Sequence, residues 1–518
     1  MTRNDCTQAP AQEGLPGEDV DTGKGAVKEQ ASRAAARQAI ILVHGMGEQI
    51  PMDAIKGFVK TLWQEEGDAR DNQVWSKPDE RTGSLELRRI TTRNSKKSSG
   101  FANGVRSDFF ELYWADLTAG STWDQFTGWV RPLLLRPLSK VPQRVRPAWG
   151  ALWFVTLFIL CLGSIGLVPK DIWAKVMPGW LPQGVVLGLA AALTAALHKV
   201  TTRTFGRVVR YTRAEPANIA ARAAVRERGL KLLRAIHAGD KYDRVILVGH
   251  SLGSILAYDL LSYFWAEKSD STSVVEKTAA FNALCRVEKA AALLEKAAEH
   301  STPAATAAAR LEYRQVQADL WRSLAAGNAD SGKSSTGGRW LISDFVTFGS
   351  PLTHSEFLLA SGREDLKDRQ RARELPTAPP VREELEPATL SIARESGMLD
   401  SLDGAEPPTL MSFPGKAAAA GKDAPRVWTV HHGGPFAVVR WTNVFDPDRA
   451  IYKGDLIGGP LAATFGPAVE DIDLSSVDGR SGRFTHMRYW DAGQSAKRKE
   501  LFRKSVNLLN EDIDWRVY

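Results

Sequence analysis

Residues 244–261, RVILVGHSLGSILAYDLL, pass within a few positions from an apolar run, through Gly-His-Ser-Leu-Gly, into apolar residues at helical spacing. No other segment constrains the fold as much. A short apolar run rich in Val and Ile reads as a strand buried on both faces, and such strands belong to parallel sheets whose crossovers are helices. Gly249 and Gly253 let the backbone pack closely around a sharp strand-to-helix turn, which holds Ser251 out at the carboxyl end of the sheet.

Further short apolar runs recur at 39–45 (AIILVHG), 85–92 (LELRRITT), 108–116 (DFFELYWAD), 344–351 (DFVTFGSP) and 436–445 (FAVVRWTNVF). Before residue 244, PANIAARAAVRERGLKLLRAIHAG carries Ala, Val and Leu at helical spacing and stops at Gly239. Strand and helix alternate, so the expected class is α/β, with a mostly parallel sheet flanked by helices. Residues 1–38, polar and without an apolar core, read as a disordered tail rather than a secretory signal. Sheet-forming stretches at 39–147, 201–270, 339–360 and 427–518 are then separated by three insertions. Residues 271–338 read as a charged helical pair with a flexible linker, and 361–426 as a charged, proline-containing insertion; either could serve as a lid, although solvated surface elaboration is the commoner meaning of such segments.

The remaining insertion, 148–200, is hydrophobic. AWGALWFVTLFILCLGSIGLV (148–168) holds about 20 residues without a charge, which at about 1.5 Å per residue matches a hydrocarbon core about 30 Å thick. PKDIWAKVMPGWLP then turns the chain into a shorter apolar run, 183–200, so the pair reads as a membrane hairpin. Its outer flanks carry Arg131, Arg136, Lys140, Arg144 and Arg146 on one side and Lys199, Arg203, Arg207, Arg210 and Arg213 on the other. Both flanks are expected to face the cytoplasm, with Trp173 and Trp180 at the opposite interface. A net charge of +7 is thereby explained without nucleic acid, for which no interleaved basic and aromatic pattern exists. Cys6, Cys161 and Cys285 stand far apart, in neither disulfide nor metal-ligand spacing.

GHSLG, with RVILV before it and SILAYDLLSYF after it, resembles the nucleophile elbow of the α/β-hydrolase superfamily, particularly its lipases and esterases. The resemblance covers residues 39–50, 205–264, 340–357 and 436–495, and Phe-Gly-Ser-Pro at 348–351 also occurs in lipase-like hydrolases. It implies that Ser251 is a nucleophile and that two backbone N–H groups hold the oxyanion. One belongs to Leu252 and the other to the His44-Gly45-Met46-Gly47 loop, with Met46 or Gly45 as donor and His44 as a loop-structuring residue.

The superfamily's chain order of serine, acid, histidine selects the base. Of the nine histidines, only His486 follows every good acid candidate. The acid stays open among Asp455, Asp446 and Asp448 in FDPDRAIYKGDLIGG: Asp455 best resembles the pattern around hydrolase acids, and Asp446 stands closest to the strand end. Ser350 reads as a turn residue, and His354 competes as base only if the acid lies elsewhere. The expected activity is a membrane-associated serine esterase acting on lipid or other acyl esters, without metal or other cofactor. Acyl transfer to another alcohol and a catalytically silent membrane scaffold are the alternatives.

Overall fold

The computed structural model describes residues 35–517 apart from 46–49, 65–71, 84–85, 119–134, 136, 139–140, 142–145, 177, 180, 196–210, 212–215, 269–271, 328–338, 402–407, 418–424, 448–452, 480–481, 484 and 492. Among the described residues, eight strands form the central sheet. They are β1 (Ala36–Val43), β2 (Val74–Pro78), β3 (Arg88–Asn94), β4 (Val105–Leu112), β5 (Arg244–His250), β6 (Ile342–Phe348), β7 (Arg440–Phe445) and β8 (Glu470–Asp473). Their spatial order is β8-β7-β6-β5-β1-β4-β3-β2. From β8 to β4 neighbours run parallel, whereas β3 and β2 close the edge as antiparallel strands.

Side chains alternate across this sheet with period two. Ile41, Val43, Val245 and Leu247 enter one apolar core, and Ile40, Leu42, Ile246 and Val248 enter the other. Helices cover both. The ones that position or surround the site are α1 (Asp53–Val59), α2 (Arg146–Gly166), α3 (Lys170–Val176), α4 (Gln183–Ala195), α5 (Ile219–His237), α6 (Leu252–Glu267), α7 (Ala279–His300), α8 (Pro303–Ala326), α9 (Arg363–Arg371) and α10 (Ala496–Val506). Helices α1 and α10 pack through Ile55, Phe58, Leu501 and Phe502 on the second core, and α5 to α8 pack on the first. The result is a three-layer α/β arrangement.

All six strands expected from apolar runs lie in this sheet, with shifted ends. β1 begins at Ala36, inside the stretch read as tail, because Ala36–Gln38 pair with Val105–Ser107. β7 begins at Arg440 rather than 436, since Pro435–Ala437 form a 3-10 turn. The edge strands β2 and β8 carry Lys77, Pro78, Glu470 and Asp471 and offer no apolar run.

The charged helical insertion is not a solvated elaboration. Leu284, Val287, Ala291 and Leu294 of α7, with Tyr313, Leu320 and Trp321 of α8, are buried in the first core. Buried Glu288 accepts hydrogen bonds from the main-chain N–H groups of Met411 and Ser412 and from the Ser412 hydroxyl. Arg314 donates to Trp441 O and Thr442 Oγ1, stitching α8 to β7. The second insertion likewise contributes Leu366, Leu375, Met398 and Met411 to this core.

The hydrophobic insertion differs from a simple hairpin of two spans. No single helix among the described residues is long and apolar enough to cross a membrane. Pro169 lacks an N–H donor and interrupts the chain after α2, and α3 continues at 107° to it. The carbonyls freed at the break, Gly166 O and Val168 O, accept from Gln183 Nε2 at 2.8 and 2.6 Å. Phe154, Leu160 and Leu167 are 70%, 60% and 77% exposed along this segment.

Candidate active site

The carboxyl ends of β1, β5, β6 and β7 deliver His44-Gly45, Ser251, Gly349-Ser350 and Asp446 to one edge of the sheet. This is where ligands meet open α/β sheets. At that edge Ser251 has φ 53° and ψ −132°, a left-handed conformation unusual for a residue with a side chain. Steric limits dictate the flanking glycines. A Cβ on Gly253 would lie 2.2 Å from Val43 O and 2.4 Å from His44 O, and one on Gly249 would lie 2.6 Å from Ser254 Cα. The strand can therefore reverse into α6 tightly enough to leave the Ser251 hydroxyl at the turn's apex.

His486 sits in a short turn, Thr485–Met487, more than two hundred residues later. Its Nε2 lies 2.7 Å from Ser251 Oγ, and its Nδ1 lies 2.9 and 3.0 Å from Asp455 Oδ1 and Oδ2. The carboxylate accepts, so Nδ1 carries the proton and Nε2 is left to accept from the serine hydroxyl. Asp455 is fully buried but well supplied with donors. Ile457 N and Gly458 N donate to Oδ1 at 2.8 and 3.0 Å, and the Tyr489 hydroxyl donates to Oδ2 at 2.6 Å. Burial works to raise the Asp455 pKa, but His486, Tyr489 and the Gly458 N–H outweigh it and bring the carboxyl down to about 2. Burial, followed by the charge of Asp455, pushes the Tyr489 pKa well up, which keeps its hydroxyl a donor.

The three acid candidates separate by position. Asp455 meets the imidazole. Asp446 is buried beside it in the fold, but its Oδ2 accepts from Gly482 N, Thr485 Oγ1 and Arg498 Nη1 at 2.9, 2.7 and 3.1 Å. It thus anchors the residue next to His486 rather than the ring. Asp448 lies outside the described residues.

No protein-family model, curated protein or solved structure matches this chain. Leu252 N opens α6 immediately after the serine, with the helix's positive end behind it. Gly45 presses against the serine, since a Cβ there would come within 2.8 Å of Ser251 Cβ. Met46 lies outside the described residues. His44 stacks on Trp114 with ring centroids 5.4 Å apart, and its Nε2 accepts from Trp114 N at 3.3 Å. Its Nδ1 is then the protonated nitrogen and donates to Gly45 O at 2.8 Å. Ser350 caps the next turn, accepting from Leu352 N at 3.3 Å. His354 ends that turn, and neither takes part in the Ser251 relay.

Two neighbours had no sequence signal. His250, read only as part of the turn, contacts the His486 carbonyl, and Tyr489 is 3% exposed and bonded to Asp455. Among the described residues no group of three or more His, Cys, Asp or Glu is arranged to hold a metal ion.

Proposed function

We propose that this chain is a serine hydrolase of the α/β-hydrolase type that cleaves carboxylic esters, lipid acyl esters above all, through an acyl-enzyme. The observation that carries this reading is the continuous relay from Asp455 through His486 to Ser251, at 2.9 and 2.7 Å, on a left-handed turn between a buried strand and a helix.

Ser251 Oγ attacks the ester carbonyl carbon while His486 Nε2 takes the hydroxyl proton. The carbonyl oxygen becomes an oxyanion, for which Leu252 N–H and an N–H from Gly45 or Met46 are the donors. Collapse of the tetrahedral species breaks the bond to the alkoxide, which leaves as an alcohol carrying the proton from His486. Water then gives a proton to the same nitrogen and attacks the acyl-serine carbon; collapse breaks the bond to Ser251 Oγ, which takes that proton back from His486 as the acid leaves. Throughout, Asp455 keeps Nδ1 protonated and offsets the imidazolium charge. No cofactor is required by this sequence of steps. Transfer to another alcohol would use the same acyl-enzyme, whereas a silent scaffold would be favoured by three groups lying apart.

The exposed apolar residues of α2 and of the following turn, framed in sequence by basic flanks, favour membrane attachment with the catalytic layer on the cytoplasmic side. Proximity to acyl lipids is what recommends lipid esters. The test is ester turnover by membrane fractions containing wild type or Ser251→Ala, with short- and long-chain nitrophenyl esters. Turnover lost in the variant is expected; equal turnover in the two would refute the assignment.

A further inference from the structure

We propose that His250, the residue before the nucleophile, is a positioning residue that locks the main chain of the base to the strand carrying the serine. This rests on the hydrolase reading above and adds to it a part for which the relay itself gives no reason.

The bond is explicit. His250 Nε2 lies 2.8 Å from the main-chain oxygen of His486. A carbonyl only accepts, so Nε2 is protonated and donates, and Nδ1 carries the lone pair. Nδ1 lies beside the turn after β1, since a Cβ on Gly45 would come within 3.2 Å of it. One imidazole therefore stands where three segments converge: the end of β5, the Thr485–Met487 turn and the candidate oxyanion loop. Trp490 and Tyr489 wall it in edge-on, at centroid distances of 4.8 and 6.1 Å.

The turn needs such a hold. Thr485 is secured by Asp446 and by the bond from its N–H to Gly454 O at 3.2 Å. The His486 carbonyl is secured by His250, and the imidazole hangs from that same residue. A displacement of about 1 Å at a reacting group costs about 100-fold in rate. The ring is also electrostatically quiet. Burial, and then the neighbouring His486, push its pKa down to about 3, so it stays neutral while His486, 5.4 Å away between centroids, becomes an imidazolium. A cation in its place would oppose that step.

The experiment compares His250→Phe, which keeps a ring and removes the donor, with His250→Gln, which keeps an N–H donor and cannot titrate. The readouts are the second-order rate of fluorophosphonate labelling, kcat and KM on a soluble ester, and near-ultraviolet circular dichroism. His250→Phe is expected to slow labelling and kcat about 10- to 100-fold with KM unchanged, and His250→Gln to return to within about 3-fold of wild type. If His250→Phe fails to fold, His250→Met is the donor-free partner for the comparison. Wild-type labelling by a folded donor-free variant, or an equal deficit in His250→Gln, overturns the positioning role. Absence of Ser251 labelling in the wild type itself would instead remove the hydrolase reading on which the role depends.

Discussion

Replacing Asp455 with asparagine leaves the shape of the site intact and inverts one hydrogen bond. In the native relay Oδ1 accepts from Ile457 N and Gly458 N and lies 2.9 Å from His486 Nδ1, while Oδ2 accepts from the Tyr489 hydroxyl and lies 3.0 Å from the same Nδ1. The two backbone donors oblige the asparagine to keep its carbonyl oxygen at the Oδ1 position, which puts its NH2 where Oδ2 was. That amide places a donor 3.0 Å from His486 Nδ1, in competition with the carbonyl at 2.9 Å; in the tautomer it favours, Nδ1 accepts and Nε2 presents a proton to Ser251 instead of a lone pair. Loss of the correct tautomer in a comparable triad costs about 10⁴ in kcat, equivalent to about 5 kcal/mol of barrier. The carboxyl's fall from 3.8 to about 2 adds a stability penalty of about 2 kcal/mol at neutral pH. Because the folded-state pKa is depressed, that contribution is present above the unfolded value and disappears as pH falls through about 2. Ester turnover measured beside Asp446→Asn separates the two carboxylates: Asp455→Asn abolishes kcat, and Asp446→Asn chiefly lowers stability by loosening Arg498 and Thr485. Full turnover in Asp455→Asn, or abolition by Asp446→Asn in a folded protein with Asp455→Asn active, would remove Asp455 from the relay.

Other consequences are equally direct. Gly253→Ala forces a Cβ against two backbone carbonyls that cannot move aside, and a loss of about 3 kcal/mol or more is expected in denaturant unfolding; an unchanged midpoint would contradict the close approach. Glu111, 1% exposed on β4, accepts from Met52 N at 2.7 Å, and burial raises its pKa from 4.5 to about 7. A raised folded-state pKa means that its contribution is full below the unfolded value and is lost as pH rises through about 7, so Glu111→Gln should be the more stable protein by about 1–3 kcal/mol at about pH 8 and show no gain near pH 4. Thermal unfolding curves that stay parallel across that range would exclude a buried proton there. Replacing Phe154, Leu157 and Leu160 together with glutamate should move the protein from the membrane pellet to the supernatant; continued sedimentation with vesicles would argue that this face meets something other than lipid.

Much of the architecture could be read from local pattern because its central strands are buried on both faces. RVILV and AIILV are continuous apolar runs for that reason, and the glycines around Ser251 are required by contacts within a few residues and with one neighbouring strand. Edge strands escaped because β2 and β8 are short and polar, with nothing to bury on their outer sides. The burial of α7 and α8 is not legible in the sequence because their apolar positions are diluted by charges, although Leu284, Val287, Ala291 and Leu294 keep a helical period. Within the site, chain order points to His486, whose Nε2 lies 2.7 Å from Ser251 Oγ, but the choice between Asp446 and Asp455 could not be local. Both lie in one loop, and which of them reaches the imidazole depends on the path between them and on the donors at Ile457, Gly458 and Thr485. The contacts of His250 and Tyr489 depend on tertiary packing that no spacing rule encodes.

The most direct measurement is peptide mapping after reaction with a fluorophosphonate. One phosphonyl group per chain is expected, attached to Ser251, with labelling lost in His486→Ala and severely slowed in Asp455→Asn. Labelling at another residue, or undiminished labelling of His486→Ala, would contradict it.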